Sequence, residues 1–233
     1  LGGYFVIGII GAMSEEVNII KKEMKFTYEE KIGRFTFIIG SLRNRKIVLS
    51  ESGIGKVNAG MMATIMIVKF NVKAIVFSGV AGALDERLTV GDVVIGDKMI
   101  QHDMDVREFG LKKGEIPRMA VSTFESSKEI LDLVSAFELP EHKVYKGTII
   151  SGDQFISSKQ IKKELADEFN AMAVDMESSA VAQVCYQLER KCLIIRSISD
   201  SVTDDSIMEY SKFVELAAHN SKEIVCYLME KLQ

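Results

Sequence analysis

The 233-residue sequence contains no tryptophan, two prolines, three histidines and three cysteines. Cys185, Cys192 and Cys226 lie in apolar segments and form no C-x-x-C pair, so we interpret them as reduced core residues of a cytoplasmic protein. The histidines are far apart in the sequence and lack metal-ligand spacing, and no metal site is predicted. No G-x-S-x-G motif occurs, and no cysteine has the sequence context of a nucleophile. These absences argue against disulfide scaffolds, zinc enzymes and hydrolases with a serine or cysteine nucleophile.

Long apolar runs and an excess of positive charge are also missing. The longest apolar runs, YFVIGIIGAM and AGMMATIMIV, are shorter than the roughly 18 residues needed to cross a bilayer. The N-terminal residues lack the basic start of a signal peptide. The formal net charge is -4, and lysine and arginine are scattered instead of forming a stripe. We therefore expect a small molecule or another protein as partner, and neither nucleic acid nor a membrane.

Apolar segments of strand length alternate with segments of helical periodicity along the whole chain. This alternation predicts an α/β fold in which a mainly parallel sheet is covered by helices. The chain length and the absence of a linker favour one domain over residues 1–233. Arg43 and Asn44 separate two strand-like segments and predict a hairpin. Ser14 is the predicted N-cap of the first helix, and the last helix is predicted to begin near Ser211.

Five predicted strands end in residues that would be unusual as structural filler. The five segments are GAMSEE, SGVAGA, SGDQFI, VDMES and SISDS. In open α/β sheets, ligands bind outside the carboxyl ends of the strands. The five segments therefore predict one shared site.

Arg196 lies inside the apolar segment CLIIRSIS and shares a strand face with Asp200. A buried guanidinium needs a carboxylate partner, and Asp175 and Glu177 are the nearest candidates, either in a structural ion pair or in a site. We expect Glu177, at a helix N-terminus beside Arg196, to stay ionised and to accept hydrogen bonds from hydroxyl groups. Asp200 follows an apolar strand and is expected to keep its proton as a general acid, with Glu16 as a base toward water. An acceptor, an acid and a base together predict hydrolysis.

The segment SGIGKV has some features of a nucleotide-binding loop. Lys56 is followed by Val57, and Ser50 stands where the first glycine of a phosphate-binding loop is required, so the spacing fails twice. The dinucleotide fingerprint fails as well, because Asn58 replaces its third glycine. Two interpretations remain. The turn either presents backbone N–H groups to a ligand or is a tight strand-to-helix connection.

With these residues identified, the chain resembles the 5′-methylthioadenosine/S-adenosylhomocysteine nucleosidases of the nucleoside phosphorylase superfamily. The matching segments are IGIIGAMSEEV, SGIGKVNA, GVAGALDERLTVGDVVI, HDMDV, SGDQFI, VDMESSAVAQVC and RSISD, in order and at similar spacing. The resemblance implies a nucleoside phosphorylase-like, three-layer αβα fold with a central mixed, mainly parallel twisted sheet. It also implies a homodimer that hydrolyses the N-glycosidic bond of these nucleosides, and of 5′-deoxyadenosine, without a cofactor.

The resemblance further implies a role for individual residues. Glu16 would activate water, Asp200, oriented by Ser199, would protonate adenine N7, and Glu177 would accept the ribose hydroxyls. Phe155 would stack on adenine. The other implied substrate contacts are Met176, Asp175, Arg196, Ile156, Ala81, Gly82, Val80, Met13, Ile54, Tyr210 and Phe213, with Phe109 and Pro117 from the neighbouring subunit.

Four positions depart from the residues that are usual in this family. Asp175 replaces glutamate, Val80 replaces serine, Tyr210 replaces phenylalanine and Ser14 replaces the first of three glutamates. None is the implied acid, base or ribose acceptor, so we expect activity with an altered affinity or preference at the 5′ end. Three alternatives remain: a phosphorylase of the same superfamily, a hydrolytic nucleosidase of the superfamily that acts on other nucleosides, and a nucleoside-binding protein without turnover. Acids at the first strand end oppose phosphate, and a binding protein needs no separate acid and base.

Overall fold

The computed structural model describes residues 5–202 and 206–232, with the side chains of residues 206–212 left undescribed. The strands are β1 (Ile7–Gly11), β2 (Lys25–Ile32), β3 (Phe35–Leu42), β4 (Arg45–Glu51), β5 (Ala74–Ala83), β6 (Val93–Gln101), β7 (Thr123–Glu125), β8 (Val144–Ser151), β9 (Ala173–Asp175) and β10 (Lys191–Asp200). The α-helices are α1 (Ser14–Lys21), α2 (Lys56–Phe70), α3 (Lys128–Val134), α4 (Lys159–Phe169), α5 (Ser178–Gln187) and α6 (Ser206–Lys231). None of the described helices is both long and apolar enough to span a membrane.

The described strands form one mixed sheet in the order β10-β6-β8-β9-β5-β1-β4-β3-β2, with β7 paired to β6. Parallel pairing joins β4, β1, β5 and β10, and the antiparallel strands β3 and β2 extend one edge. Because β10 pairs with both β5 and β6, the strands β5, β9, β8, β6 and β10 close into a ring. Strand ends that are distant in sequence therefore come together around one region.

Helices cover both faces of this sheet. On one face α2 and α5 pack together, and Met66 and Val181 join a core with Ile75 of the sheet. On the other face α6 packs on α1 and α3 and contributes Leu228 to a second core. Strands covered on both faces are apolar throughout instead of alternating, as in the fully buried β1. The predicted three-layer αβα fold with a mixed sheet is confirmed.

Several local predictions differ from the structure. The two-residue hairpin turn is confirmed, with φ of 49° at Arg43 and 65° at Asn44. Ser14 is the first residue of α1 and not its N-cap, because Met13 occupies the cap and its N–H donates to the Glu16 carboxylate. The last helix begins at Ser206, earlier than predicted. Strands β2 and β7 were not predicted, since β2 is a largely exposed edge strand without an apolar run and β7 has only 3 residues.

Candidate active site

A cavity of about 330 Å³ lies where the strand ends converge. Its described lining consists of Ala12, Met13, Glu16, Ile54, Val80, Ala81, Gly82, Gln154, Phe155, Ile156, Val174, Asp175, Met176, Glu177, Ser199 and Asp200. All five segments singled out at predicted strand ends contribute to it, so the prediction that they converge is confirmed. Ala12, Gln154 and Val174 were not predicted. They are neighbours of predicted residues, and their types carry no chemical signal of their own.

Glu16 is held in this cavity by backbone N–H groups. Its Oε2 accepts hydrogen bonds from Ala12 N at 2.5 Å and Met13 N at 3.1 Å, and its Oε1 accepts one from Val80 N at 3.1 Å. Gly79 leaves the necessary space, since a Cβ there would lie 2.6 Å from Oε1. The turn after β1 and the strand β5 therefore fix this carboxyl group. Glu16 is only 3% exposed.

Arg196 and Asp175 form a buried ion pair. Oδ2 of Asp175 lies 2.7 Å from Nε of Arg196, and the two side chains are 2% and 1% exposed. The guanidinium also donates to the carbonyl oxygen of Phe77 at 3.3 Å and stacks on the Phe77 ring, 3.9 Å from its centroid. The predicted carboxylate partner of Arg196 is thus Asp175 and not Glu177. Arg196 itself lies behind the described cavity lining.

Asp175 also holds the first turn of α5. Its Oδ1 accepts hydrogen bonds from Ser151 Oγ at 2.5 Å and Ser178 N at 3.2 Å, and its Oδ2 accepts one from Ser178 Oγ. The positive end of a helix dipole stabilises a carboxylate at this position. Asp175 lines the cavity as implied, but its oxygens are engaged by protein donors. Its observed contacts are those of a residue that supports the site.

Glu177 is positioned by the glycine turn between β4 and α2. Gly55 has φ of 97° and donates its N–H to Oε1 of Glu177 at 2.8 Å. The next N–H, of Lys56, donates to Oδ1 of Asp153 at 2.8 Å. These two donors of the SGIGKV segment bind protein carboxylates, so the turn is the tight strand-to-helix connection. It also serves the site indirectly, by fixing a carboxyl group in the cavity.

Two carboxyl groups in the cavity have raised pKa values. Burial, reinforced by the charge of Asp175 and opposed by that of Arg196, raises the pKa of Glu177 to about 8. Burial also raises the pKa of Glu16, opposed by the charge of Arg196 and by three backbone N–H groups. The prediction that Glu177 stays ionised is wrong for this structure. The main reason is burial, and Asp175, two residues earlier, takes both the guanidinium and the N–H groups of α5 that would otherwise favour the ionised form.

Asp200 lies beside a lysine that the sequence analysis missed. Its Oδ2 is 2.7 Å from Nζ of Lys162, and the two side chains are 3% and 0% exposed. Its Oδ1 accepts a hydrogen bond from Ser199 Oγ at 3.0 Å, in agreement with the orienting role implied for Ser199. A cationic neighbour of Asp200 was not expected from the sequence, in which Asp200 ends an apolar strand. A signal existed, because Lys162 falls on the same face of α4 as Leu165, where a charge is unusual.

The comparisons with known proteins agree with this geometry. The sequence model described as Phosphorylase superfamily matches residues 6–230. Over 229 residues the chain is 42% identical to the 5′-methylthioadenosine/S-adenosylhomocysteine nucleosidase of Staphylococcus aureus (strain JH9), covering 97% of this chain and 100% of that one. The chain belongs to this nucleosidase family of the phosphorylase superfamily.

Solved structures extend the comparison to the fold. The 5′-methylthioadenosine/S-adenosylhomocysteine nucleosidase of Neisseria meningitidis, in complex with methylthio-immucillin-A, matches with a TM-score of 0.94 at 35% identity, over 98% of this chain and 100% of that one. The futalosine hydrolase of Helicobacter pylori matches with a TM-score of 0.90 at 34% identity, over 97% and 98% of the two chains. Both the resemblance seen in the sequence and the nucleoside phosphorylase-like fold are confirmed.

Some implied substrate contacts lie elsewhere in this single chain. Phe213 is on α6, and the described cavity lining includes neither it nor Phe109 nor Pro117. Phe109 is 84% exposed, and Pro117 is exposed as well. Tyr210 falls outside the described side chains. Val80, in contrast, lines the cavity as implied.

Proposed function

We propose that this chain is an N-glycosyl hydrolase that converts 5′-methylthioadenosine and S-adenosylhomocysteine, and also 5′-deoxyadenosine, to adenine and the 5-substituted ribose. The observation that carries the proposal is the convergence of Glu16, Glu177 and Asp200 in one cavity. The three carboxyl groups are 3%, 6% and 2% exposed, so their charges act in a site largely shielded from water. No cofactor is needed for this chemistry, and one catalytic domain over residues 1–233 is sufficient.

The reaction builds opposite charges on the two halves of the substrate. Asp200, oriented by Ser199, protonates N7 of adenine, and the base leaves with the electron pair of the glycosidic bond. Glu16 takes a proton from the water that attacks the anomeric carbon. The cationic ribose favours the ionised form of Glu177, which accepts the ribose hydroxyls. These contacts are stronger in the transition state than in the ground state, as catalysis requires.

The apolar lining recognises the neutral parts of the substrate. Phe155, 49% exposed at the open side of the cavity, stacks on adenine, and the backbone of Ile156 binds the edge of the base. Met176 contacts the sugar. Met13 and Ile54 contact the 5′-alkylthio group. The remaining implied contacts are Val80, Ala81 and Gly82 near the base and sugar, Arg196 through Asp175, and Tyr210 and Phe213 from α6.

The charge of the cavity lining favours a hydrolase over a phosphorylase. Among the described residues that line the cavity there are four acids and no lysine or arginine. Phosphate is usually bound by cationic donors, and Glu16 would repel its negative charge once ionised. Water is therefore the better nucleophile for this site.

We further infer that the protein is a homodimer. Val57, Met61 and Val68 recur at helical spacing along α2 and are 73%, 44% and 71% exposed. An apolar stripe of this kind is typical of a contact surface. A second copy that covers it would bring its own Phe109 and Pro117 to the 5′ end of the substrate.

Adenine release in phosphate-free buffer tests the reaction. The parental protein is incubated with 5′-methylthioadenosine, next to Asp200→Asn and to Asp132→Asn, a control on the exposed side of α3. We expect adenine and methylthioribose from the parental protein and the control, and a loss of about 100-fold or more in Asp200→Asn. Product formation only after phosphate is added would make the protein a phosphorylase. Adenosine binding without adenine release would make it a binding protein. In a parallel incubation with futalosine, turnover faster than that of 5′-methylthioadenosine would make futalosine the preferred substrate.

A further inference from the structure

Lys162 brings a buried ammonium group to the proposed general acid. It lies on α4 between exposed neighbours, and its side chain is turned inward and is 0% exposed. Nζ is 2.7 Å from Oδ2 of Asp200 and 2.6 Å from the carbonyl oxygen of Ser201. The ammonium group therefore lies at the carboxyl end of β10, where the protonation step would take place.

The carboxyl group of Asp200 is fixed from both sides. Lys162 donates to Oδ2, and Ser199 Oγ donates to Oδ1 at 3.0 Å. Two donors on different oxygens define the plane of the carboxyl group and leave little freedom for rotation. A side chain fixed in this way can meet one ring nitrogen of a bound base with a reproducible geometry.

Burial of this lysine needs an explanation beyond packing. Desolvating an ammonium ion costs several kcal/mol, and apolar residues of similar volume often stabilise a protein as well as a buried ion pair does. The partner of Lys162 is the very carboxyl group that has to deliver a proton. A carboxylate with an ammonium neighbour at hydrogen-bond distance has a proton source in direct contact.

We propose that Lys162 positions Asp200 and supplies the proton that Asp200 passes to the leaving base. This inference rests on the proposed function. In the step, an N–H bond of the ammonium group breaks, the proton passes through the Asp200 carboxyl group, and an N–H bond forms at the base. The glycosidic electron pair leaves with the base, and Asp200 ends as a carboxylate beside a neutral amine.

The remaining protons balance through water. The attacking water forms a bond to the anomeric carbon and loses a proton to Glu16. Glu16 then releases its proton to solvent, and the amine of Lys162 takes one up before the next turnover. Lysine is suited to this cycle because a buried ammonium can lose its proton, whereas a guanidinium stays protonated in proteins.

The test compares Lys162→Met, Lys162→Arg, Asp200→Asn and Lys163→Met, the last an exposed neighbour on α4 and a matched control. The substrates are 5′-methylthioadenosine and its analogue with 4-nitrophenolate in place of adenine, a leaving group that departs without protonation. We expect both Lys162 variants to lose about 100-fold in kcat on 5′-methylthioadenosine, with KM changed less than about 3-fold. On the nitrophenyl analogue, Lys162→Met is expected to stay within about 3-fold of the parental rate, because no base is protonated.

Three results would overturn the inference while leaving the proposed function intact. One is an equal loss on both substrates, which indicates a structural role. Another is a parental kcat in Lys162→Arg, which shows that charge suffices and no proton is supplied. The third is a parental kcat in Lys162→Met. Circular dichroism melting checks folding, and Lys162→Gln replaces any variant that does not fold.

The proposed function fails in a different way. A parental protein that releases no adenine, or an Asp200→Asn variant with the parental rate, would remove the general acid and this inference with it. Those results come from the parental protein and from Asp200→Asn, and they do not depend on any measurement with a Lys162 variant.

Discussion

The carboxylate of Asp175 joins the guanidinium of Arg196, 2.7 Å away, to the first turn of α5. This contact separates two acids that are neighbours in the sequence. Asp175 is fully engaged by protein donors, whereas Glu177 faces the cavity with the N–H of Gly55 as a partner. One carboxylate supports the site so that the other is available to a ligand.

Replacement of Arg196 by methionine is expected to destabilise the protein strongly. The change leaves the buried carboxylate of Asp175 without its cation, and breaking a buried pair typically lowers the free energy of unfolding by about 3–5 kcal/mol. Urea unfolding followed by circular dichroism measures the effect. In the control, Arg87→Met removes the cation from an exposed pair with Asp85 and should leave the urea midpoint unchanged. Equal midpoints for Arg196→Met and the parental protein would contradict this account.

Gly79 is expected to be essential for the position of Glu16. A methyl group there would lie 2.6 Å from Oε1 of Glu16, so Gly79→Ala has to displace the carboxyl group. A misplacement of this size can lower kcat by about 100-fold. Gly60→Ala is the control, because its Cβ would lie 3.8 Å from Val184 in ordinary contact. Steady-state kinetics with 5′-methylthioadenosine compares the two, and a parental kcat in Gly79→Ala would show that the carboxyl group tolerates the shift.

Most of this site could be predicted because its residues follow strands in recognisable segments. Glu16 of GAMSEE, the acids of VDMES and SISDS, and the aromatic ring of SGDQFI all reach the same cavity. A sheet whose strands are apolar throughout makes the strand ends easy to locate, and the polar residues there are conspicuous. The exposed edge strand β2 lacks such a pattern, and for that reason it was missed.

The different roles of Asp175 and Glu177 could not be predicted from the sequence. Asp175 and Glu177 both precede α5, and sequence spacing does not decide which one receives the helix N–H groups. Three-dimensional packing decides it, because Arg196 and Ser151 reach Asp175 from β10 and β8. For the same reason the sequence did not predict the partner of Asp200, because the contact between Lys162 and Asp200 depends on how α4 packs near the end of β10.

The stability of the ligand-free protein is expected to fall as the pH rises. Burial raises the pKa of Glu177 from 4.5 to about 8, so between these values the folded protein binds a proton that the unfolded chain has released. A folded state that binds more protons loses stability with rising pH, by at most about 1.4 kcal/mol per pH unit for one group. The raised pKa of Glu16 acts in the same direction. The contribution of Glu177 to the free energy of unfolding is complete below pH 4.5 and is lost above about pH 8.

Urea unfolding at several pH values between 4.5 and 8 tests this expectation. Glu177→Gln cannot titrate, so its free energy of unfolding should vary less steeply with pH than that of the parental protein. Asp132→Asn, an exposed control on α3, should keep the parental slope. Identical slopes for Glu177→Gln and the parental protein would mean that Glu177 is already ionised in the folded state.

Phe109 is expected to act on the substrate of a neighbouring subunit. In the single chain its side chain is 84% exposed and outside the described cavity lining, so its removal should not affect folding. If a second copy covers the α2 stripe, Phe109→Ala should raise KM for 5′-methylthioadenosine about 10-fold, since a buried aromatic contact is worth roughly 1.5 kcal/mol. Phe26→Ala, on the exposed edge strand β2, is the control with an unchanged KM.

Val68→Glu should separate the dimer in light scattering and raise KM in the same way as Phe109→Ala, because both changes withdraw the same ring from the site. A monomeric parental protein with full activity would remove the basis for this prediction, and so would a dimer in which Phe109→Ala leaves KM unchanged.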